Sequence, residues 1–140
     1  MCDVLVAAEG VNFCLSEAKL GLLPATIGPY VVRAMGEQAA RRWFITAERF
    51  DAAQARAMGF VHEVCASELL DAKVDELVAT LVANGPMAVR ACKQLVQDAG
   101  GRPIDAELRA DTARRIADIR ASAEGREGIQ SFLGKRAPSW

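Results

Sequence analysis

The segment that decides the interpretation of this chain reads Phe13-Cys14-Leu15-Ser16-Glu17-Ala18-Lys19-Leu20-Gly21-Leu22-Leu23-Pro24. It sets one carboxylate, Glu17, among mostly apolar residues, and Gly21 and Pro24 interrupt the apolar run. A carboxyl group against apolar neighbours loses hydration of its charged form, which favours the protonated acid that delivers protons near neutral pH. Glu17 is therefore a candidate general acid. The alternative, which the residues alone favour, is a solvent-facing glutamate beside a strand.

The composition points away from nucleic acids and membranes. The formal net charge is −1, and the 17 basic residues are interspersed among 18 acidic ones, so no basic patch is available for nucleic acid or an anionic membrane. No run approaches the ~20 apolar residues that span a bilayer. Asp3 and Glu9 stand where a signal peptide carries basic residues. We expect a cytoplasmic protein that acts on a small molecule or contacts other proteins.

The cysteines and the histidine do not form a metal-binding pattern. The four cysteines lie far apart, mostly within apolar runs, with no Cys-x-x-Cys pair and only one histidine to assist them. We expect reduced thiols in the core and a reducing compartment. His62 alternates with apolar neighbours and lacks a nucleophile to activate, so we assign it a structural role. The four cysteines are Cys2, Cys14, Cys65 and Cys92.

The apolar spacing predicts an α/β chain with short strands first and helices after them. Residues 4–8 and 11–15 are short apolar runs rich in β-branched residues, which predicts strands, and residues 60–64 predict another. Asp51 and Gln54 have the spacing of a capping box. Helices are predicted to begin near Pro29 and Asp51 and at Pro86, and to cover residues 37–44, 70–81, 103–121 and 122–133.

Several segments together resemble one enzyme family. Residues 16–24 resemble the active-site segment of the enoyl-CoA hydratase/isomerase (crotonase) family, and Met1-Cys2-Asp3-Val4-Leu5-Val6-Ala7-Ala8 resembles the strand that precedes it. Phe44-Ile45-Thr46-Ala47-Glu48-Arg49-Phe50-Asp51-Ala52 and residues 55–61 resemble the next family segment. Glu127-Gly128, followed by residues 132–136, resembles the C-terminal signature. The segments occur in family order along the whole chain.

The resemblance implies the C-terminal half of a crotonase-like (ClpP/crotonase spiral) α/β fold. Residues 1–65 would form the end of the spiral core with the active-site segment. Residues 66–140 would form a helical region that mediates oligomerisation and covers the acyl-CoA, in a homotrimer or a dimer of trimers. Both N–H groups that hold the thioester oxygen, and a second glutamate, are expected before Met1. We therefore expect the isolated 140-residue chain to be inactive.

The activity implied by the resemblance is that of an enoyl-CoA hydratase, a lyase of acyl-CoA and fatty acid metabolism. Glu17 would protonate the α-carbon while water adds to the β-carbon of an α,β-unsaturated acyl-CoA thioester. No cofactor is expected, because coenzyme A is part of the substrate. An enoyl-CoA isomerase, which moves a double bond, and a noncatalytic fragment that only assembles with partner subunits are the alternatives.

The loop after the active-site segment departs from the glycine-rich form that is commonest in the family. The bulkier side chains resemble branches that hydrate branched or dicarboxylic enoyl-CoAs, such as 3-methylglutaconyl-CoA of leucine degradation. Arg33 is a candidate partner for a distal carboxylate, or else a surface residue. Lys135 matches the family lysine that reaches the phosphates of CoA, or else is a solvated cation near a helix end. The substrate-binding loop residues would be Pro24, Ala25, Thr26, Ile27 and Gly28.

Overall fold

The computed structural model describes residues 2–140, which divide into two compact units. The first unit extends to Glu76 and the second from Leu77 to Trp140. The functional roles given to residues 1–65 and 66–140 stay predictions. No helix in residues 2–140 is long and apolar enough to cross a membrane.

The described residues of the first unit, 2–76, form four short strands in two pairs. The pair of β1 and β4 is parallel, with Ala7 opposite Val64, and the pair of β2 and β3 is antiparallel, with Phe13 opposite Phe50. The first two strands are confirmed but shorter than predicted. The strand expected over residues 60–64 begins later, because the N–H groups of residues 60 and 61 bond to a preceding helix. The strands are β1 Val6–Ala8, β2 Asn12–Cys14, β3 Arg49–Asp51 and β4 Glu63–Cys65.

Three α-helices lie wholly within the described part of the first unit, and their boundaries follow local signals. Pro29 lies in the first turn of α1, as predicted. Asp51 accepts the Gln54 N–H at 2.7 Å, and the Gln54 side chain accepts the Asp51 N–H at 3.0 Å, which confirms the capping box. Gly36 separates the first two helices with a φ of 80°. The helices are α1 Gly28–Met35, α2 Glu37–Thr46 and α3 Ala52–Ala57.

Aromatic side chains form the core of the first unit. The buried ring of Phe50 lies 5.4 Å from that of Phe13 and 4.8 Å from that of Trp43, measured between centroids. Phe60 meets Phe13 edge to face at 5.6 Å. The Trp43 indole N–H donates to the Met58 sulfur at 2.8 Å, so the polar atom of this buried ring is satisfied.

The second part of the chain is helical. Pro86 occupies the first position of α5, as predicted. Asp105 accepts the Leu108 N–H at 2.8 Å and Ser122 accepts the Gly125 N–H at 2.9 Å, so each caps the helix that follows it. The helix predicted from residue 103 begins three residues later at this cap. The helices are α4 Leu70–Val82, which crosses the division between the units, α5 Pro86–Ala99, α6 Ala106–Ala121 and α7 Ala123–Leu133.

The apolar stripes of these helices leave much apolar surface exposed. Val96 on α5 and Phe132 on α7 are 73% and 82% exposed. The expectation of core thiols was wrong, since three cysteines are exposed and Cys65 is half-buried. The physical reason is that the packing of the described elements leaves the other three accessible, although the Cys14 thiol donates to the Ala47 carbonyl at 3.4 Å. They are Cys2, Cys14 and Cys92.

Candidate active site

Glu17 begins a short 3-10 helix, Glu17–Leu20, that directly follows β2 and the buried Leu15. Gly21 ends this turn in the left-handed region, with a φ of 70°, and its N–H donates to the Ala18 carbonyl at 3.2 Å. The Glu17 carbonyl accepts the Leu22 N–H at 3.0 Å. The backbone on both sides of the carboxylate is therefore held by the fold.

The Glu17 carboxylate carries an unusual oxygen. Its Oε2 is buried and has no hydrogen-bond partner anywhere in residues 2–140, although the residue as a whole is only half-buried. A buried carboxylate oxygen without a partner carries an uncompensated desolvation cost, and such atoms in native proteins need an explanation. The solvent-facing alternative does not describe this oxygen, because Oε2 is buried. The role of Glu17 as the general acid stays a prediction.

The five predicted loop residues form a turn shortly after this 3-10 helix. The Gly28 N–H donates to the Pro24 carbonyl at 2.7 Å, and both residues are buried. A Cβ on Gly28 would lie 3.5 Å from the Phe44 ring, so the turn packs closely on α2. Ala25, Thr26 and Ile27 are exposed. The three residues that depart from the family form are thus available to contact a ligand.

The two predicted cation sites are also exposed. Arg33 lies on α1 one helical turn after the exposed Tyr30, and no ion pair engages it within the described chain. Lys135 lies in the second unit, two residues after the end of α7, with an unusual backbone φ of 48°. Their assignments to a distal carboxylate and to CoA phosphates stay predictions.

Arg136 forms an ion pair with Glu127, whereas its neighbour Lys135 forms none within the described chain. Its two terminal nitrogens donate to the two Glu127 oxygens at 2.6 and 2.8 Å, and the Ser139 N–H donates to Glu127 Oε1 at 2.9 Å. The Arg136 guanidinium, together with the Ser139 N–H, lowers the pKa of Glu127 to about 2. We call these three residues the tail clamp.

A second carboxylate holds a helix terminus in the same unit. Glu124, at the start of α7, accepts the N–H of Met87 at 2.9 Å and that of Ala88 at 2.8 Å. These are N–H groups of the first turn of α5, which have no partner within the helix. Glu124 therefore acts as an N-cap from another helix and complements the helix dipole.

An apolar groove of about 500 Å³ lies between α5 and α6 of the second unit. Met87, Cys92 and Ile116 are among its lining residues, so the exposed Cys92 faces this groove. Arg115, at its edge, donates to Asp98 and to Asp111 at 2.7 Å each. The bond from Arg115 lowers the pKa of Asp98. Glu17 belongs to the first unit and does not line this groove.

The histidine has a structural partner, and the possible metal-ligating side chains of residues 2–140 form no metal-binding cluster. His62 Nδ1 accepts the Leu5 N–H at 3.0 Å, and the His62 N–H donates to the Leu5 carbonyl at 2.9 Å. His62 therefore ties β4 to the start of β1. Among residues 2–140, no group of three or more His, Cys, Asp or Glu side chains could hold a metal ion.

Sequence reasoning missed the roles of Glu124 and Glu127. Glu124 lies 36 and 37 residues from the N–H groups that it caps, so no local capping pattern marks it. Glu127 and Arg136 are nine residues apart, beyond the spacing of helical ion pairs. For Glu127 and Arg136 the one available signal was that both lie in the stretch that resembles the family's C-terminal signature, and Glu124 lies outside that stretch.

Comparison with known proteins gives a consistent result. Residues 1–140 match the family model described as enoyl-CoA hydratase/isomerase. The chain is 32% identical over 142 residues to 2,3-dehydroadipyl-CoA hydratase of Escherichia coli K12, with 100% of this chain and 55% of the relative covered. It is 29% identical over 142 residues to carnitinyl-CoA dehydratase of Salmonella typhi, covering 99% of this chain and 54% of the relative.

Solved structures agree with the fold. The crystal structure of an enoyl-CoA hydratase from Shewanella pealeana superposes with a TM-score of 0.92 at 44% identity, covering 99% of this chain and 51% of that one. The α/β, crotonase-type fold is thereby confirmed. The chain spans about half the length of the curated relatives it matches. Since the family model matches the chain from residue 1 to residue 140, this protein belongs to the enoyl-CoA hydratase/isomerase family.

Proposed function

We propose that this chain provides the proton-donating carboxyl group of an enoyl-CoA hydratase-type lyase. The observation that carries the proposal is the buried, unpartnered Oε2 of Glu17 within the segment that resembles the family's active site. A protonated carboxyl group shielded from water is suited to general acid catalysis. The names of the relatives, a hydratase and a dehydratase, support addition or removal of water across a C–C bond.

In the proposed reaction, water adds across the double bond of an α,β-unsaturated acyl-CoA thioester. The water oxygen bonds to the β-carbon as the π bond breaks, and Glu17 delivers its proton to the α-carbon. The proton that the water loses is taken up by the second glutamate and returns to Glu17, so that H and OH are added in net. The addition needs no net electron transfer, so no redox cofactor is required, and coenzyme A enters as part of the substrate. The N–H donors for the thioester oxygen and the second glutamate are expected in the part of the family fold that this chain does not match.

The acyl group is proposed to be branched or dicarboxylic. Ala25, Thr26 and Ile27 expose bulkier side chains than glycine on the turn after Glu17. Arg33 is exposed and unpaired in the described chain, so a distal carboxylate could pair with it. The E. coli relative is named for the thioester of a dicarboxylic acid. Roles in fatty acid metabolism or leucine degradation, and a cytoplasmic location, stay predictions.

The proposed protein partners are further copies of the same chain, in a trimer or a dimer of trimers. Exposed apolar residues on the second unit, such as Phe132 and Leu133, support burial against another subunit. Lys135 is proposed to bind the phosphates of CoA.

The test pairs this chain with the half that its relatives carry. The 140-residue chain is co-expressed with the portion of the Shewanella pealeana enoyl-CoA hydratase that it does not match, and crotonyl-CoA is added to the purified complex. We expect 3-hydroxybutyryl-CoA as the product, and a loss of rate of about 10²–10⁴-fold in Glu17→Gln. The chain alone should show little activity, because the oxyanion donors are each worth about 10²–10³ in rate.

The other outcomes favour the alternatives. Full activity in Glu17→Gln would refute the proposed role of this residue. Double-bond migration without a 3-hydroxyacyl-CoA product would identify an isomerase. A folded complex without either activity would favour a noncatalytic assembly module. For the acyl group, Arg33→Gln should raise KM for 2,3-dehydroadipyl-CoA and leave KM for crotonyl-CoA unchanged, and equal effects on both substrates would refute the distal-carboxylate role.

A further inference from the structure

Two adjacent cations after α7 differ in their surroundings. Arg136 donates to both oxygens of Glu127, at 2.6 and 2.8 Å, which is the bidentate arrangement of a strong charge-assisted pair. The ammonium of Lys135 is exposed and makes no hydrogen bond or ion pair with the described part of the chain. Of the two side chains, the lysine is the one with its charge available to a ligand.

The backbone of Lys135 is held in a conformation that lysine seldom adopts. Its φ is 48°, in the left-handed region, which costs conformational free energy for a residue with a Cβ. Its N–H donates to the Phe132 carbonyl at 3.2 Å, and the next N–H, of Arg136, donates to the Ser131 carbonyl at 3.0 Å. Such a conformation persists where neighbouring interactions determine it.

Those two bonds form a Schellman C-cap of α7, which determines the φ of Lys135. The tail clamp of Glu127, Arg136 and Ser139 adds a second constraint on the C-terminal side of Lys135. Glu127 is on α7, so its three bonds tie the chain after Lys135 back to the helix that ends just before it. The indole N–H of Trp140 also donates to the Ala83 carbonyl at 3.1 Å, within the same unit. Lys135 is therefore the exposed apex of a turn that is fixed at both ends.

We propose that Glu127 is a positioning residue for anion recognition: by holding Arg136, it fixes the turn that presents the Lys135 ammonium to a diphosphate group. The identification of this diphosphate with that of coenzyme A rests on the proposed function. The fixed turn lowers the entropy lost when the lysine is immobilised on the ligand. Arg136, although always charged, acts on the anion only through the position of Lys135.

A clamp that only stabilises the fold would affect unfolding but not anion affinity. The test must therefore break the clamp without adding a free cation. Glu127→Gln combined with Arg136→Gln removes one negative and one positive charge, so the net charge is unchanged. Glu37→Gln combined with Arg41→Gln is the matched control. It removes another exposed Arg–Glu ion pair, in the first unit, in which a guanidinium nitrogen of Arg41 lies 2.6 Å from Glu37 Oε1.

The measurement is the affinity of the 140-residue chain for inorganic pyrophosphate. Titrations are followed by the backbone amide NMR signals of residues 134–136, at a temperature where thermal denaturation shows each variant to be folded. We expect the unmodified chain to bind pyrophosphate. The clamp variant should bind about threefold to tenfold more weakly, because Lys135 then loses more conformational freedom on binding, by about as much as one additional immobilised side chain. The control variant should bind as the unmodified chain does. Arg136→Lys, a milder change that keeps the charge, should give an intermediate loss.

A third comparison separates positioning from direct binding. In a Lys135→Gln background, the clamp replacement should cause no further loss of affinity, since the clamp acts through the lysine. The proposal is overturned if residues 134–136 do not respond to pyrophosphate, or if the clamp variant binds it as tightly as the unmodified chain or more tightly. It is also overturned if the control variant loses as much affinity as the clamp variant. A further loss of affinity from the clamp replacement in the Lys135→Gln background would overturn it as well. Hydration by the paired halves is a separate readout, so the proposed function can fail while pyrophosphate binding follows these expectations.

Discussion

The carboxylate of Glu124 occupies the space that a side chain on Gly85 would need. A Cβ built on Gly85 would lie 2.5 Å from Glu124 Oε1. Gly85 is the N-cap residue of α5 and has no side chain to offer, while Glu124 accepts the N–H groups of Met87 and Ala88. The glycine and the glutamate together replace an ordinary local cap by a contact between two helices.

This relationship predicts a coupled effect of two substitutions. Glu124→Ala should lower the free energy of unfolding by about 1 kcal/mol, as for loss of a helix cap. Gly85→Ala should cost a similar amount, because it displaces the carboxylate, but should cost little in the Glu124→Ala background, since the Gly85 backbone at φ −60° suits alanine. Urea denaturation of the four proteins measures the coupling. Costs that simply add would show that the two residues act independently.

Two glycines of α7 should respond differently to alanine. A Cβ on Gly125 would overlap the Ile119 carbonyl oxygen, a backbone atom that cannot easily move, so Gly125→Ala should lower the free energy of unfolding by about 2 kcal/mol or more. A Cβ on Gly128 would lie 3.5 Å from the Trp140 ring, an ordinary contact. Gly128→Ala should therefore raise stability by about 0.5–1 kcal/mol through helix propensity. Thermal denaturation checks both, and equal effects would contradict the packing argument.

The tail clamp predicts an acid-sensitive contribution to stability. The pKa of Glu127 is lowered from 4.5 to about 2 in the folded chain, so folding favours its charged form. Its contribution is therefore fully present above the unfolded pKa of 4.5 and is lost as the pH falls toward about 2. The stability difference between the unmodified chain and Glu127→Gln should shrink over this window in denaturation experiments at successive pH values. A difference that does not change with pH would rule out the ion pair as its source.

The buried oxygen of Glu17 predicts a conflict between stability and function. Replacing the carboxylate by an apolar side chain of similar length removes an unpaired buried polar atom. Glu17→Met should therefore raise the free energy of unfolding by about 1 kcal/mol while removing the proposed activity. Lys19→Met, at an exposed position of the same 3-10 helix, should change stability by less than about 0.5 kcal/mol. A destabilised Glu17→Met variant would show that Glu17 has a structural role.

Local features of the fold were predictable from neighbouring residues. Asp51 and Gln54 form the capping box because both partners lie within one helical turn. Pro86 begins α5 because its fixed φ and missing N–H suit the first position of a helix. The strands β1 and β2 appear where short β-branched runs predicted them, although pairing with β4 and β3 limits each to three residues.

Features that depend on distant partners were not predictable in this way. The exposed Cys92 carries the same apolar spacing as a core residue, and only the arrangement of α5 and α6 leaves it on an open groove. The strand expected from residue 60 begins at Glu63 because two N–H groups bond to the Ala55 carbonyl instead. The bond from Leu5 to His62 likewise joins residues 57 positions apart.

The sequence by itself determined the family, most of the strands and helices, and the segment around Glu17, because these depend on residue types at short spacing. The strand β3 was not predicted, because it forms by pairing with the distant β2. Only the tertiary structure decided that Glu17 Oε2 is buried without a partner, that Glu124 caps α5, and that Glu127 holds Arg136 and leaves Lys135 exposed. Burial and ion pairing are set by which distant groups share a space, and chain folding, rather than local spacing, brings those groups together.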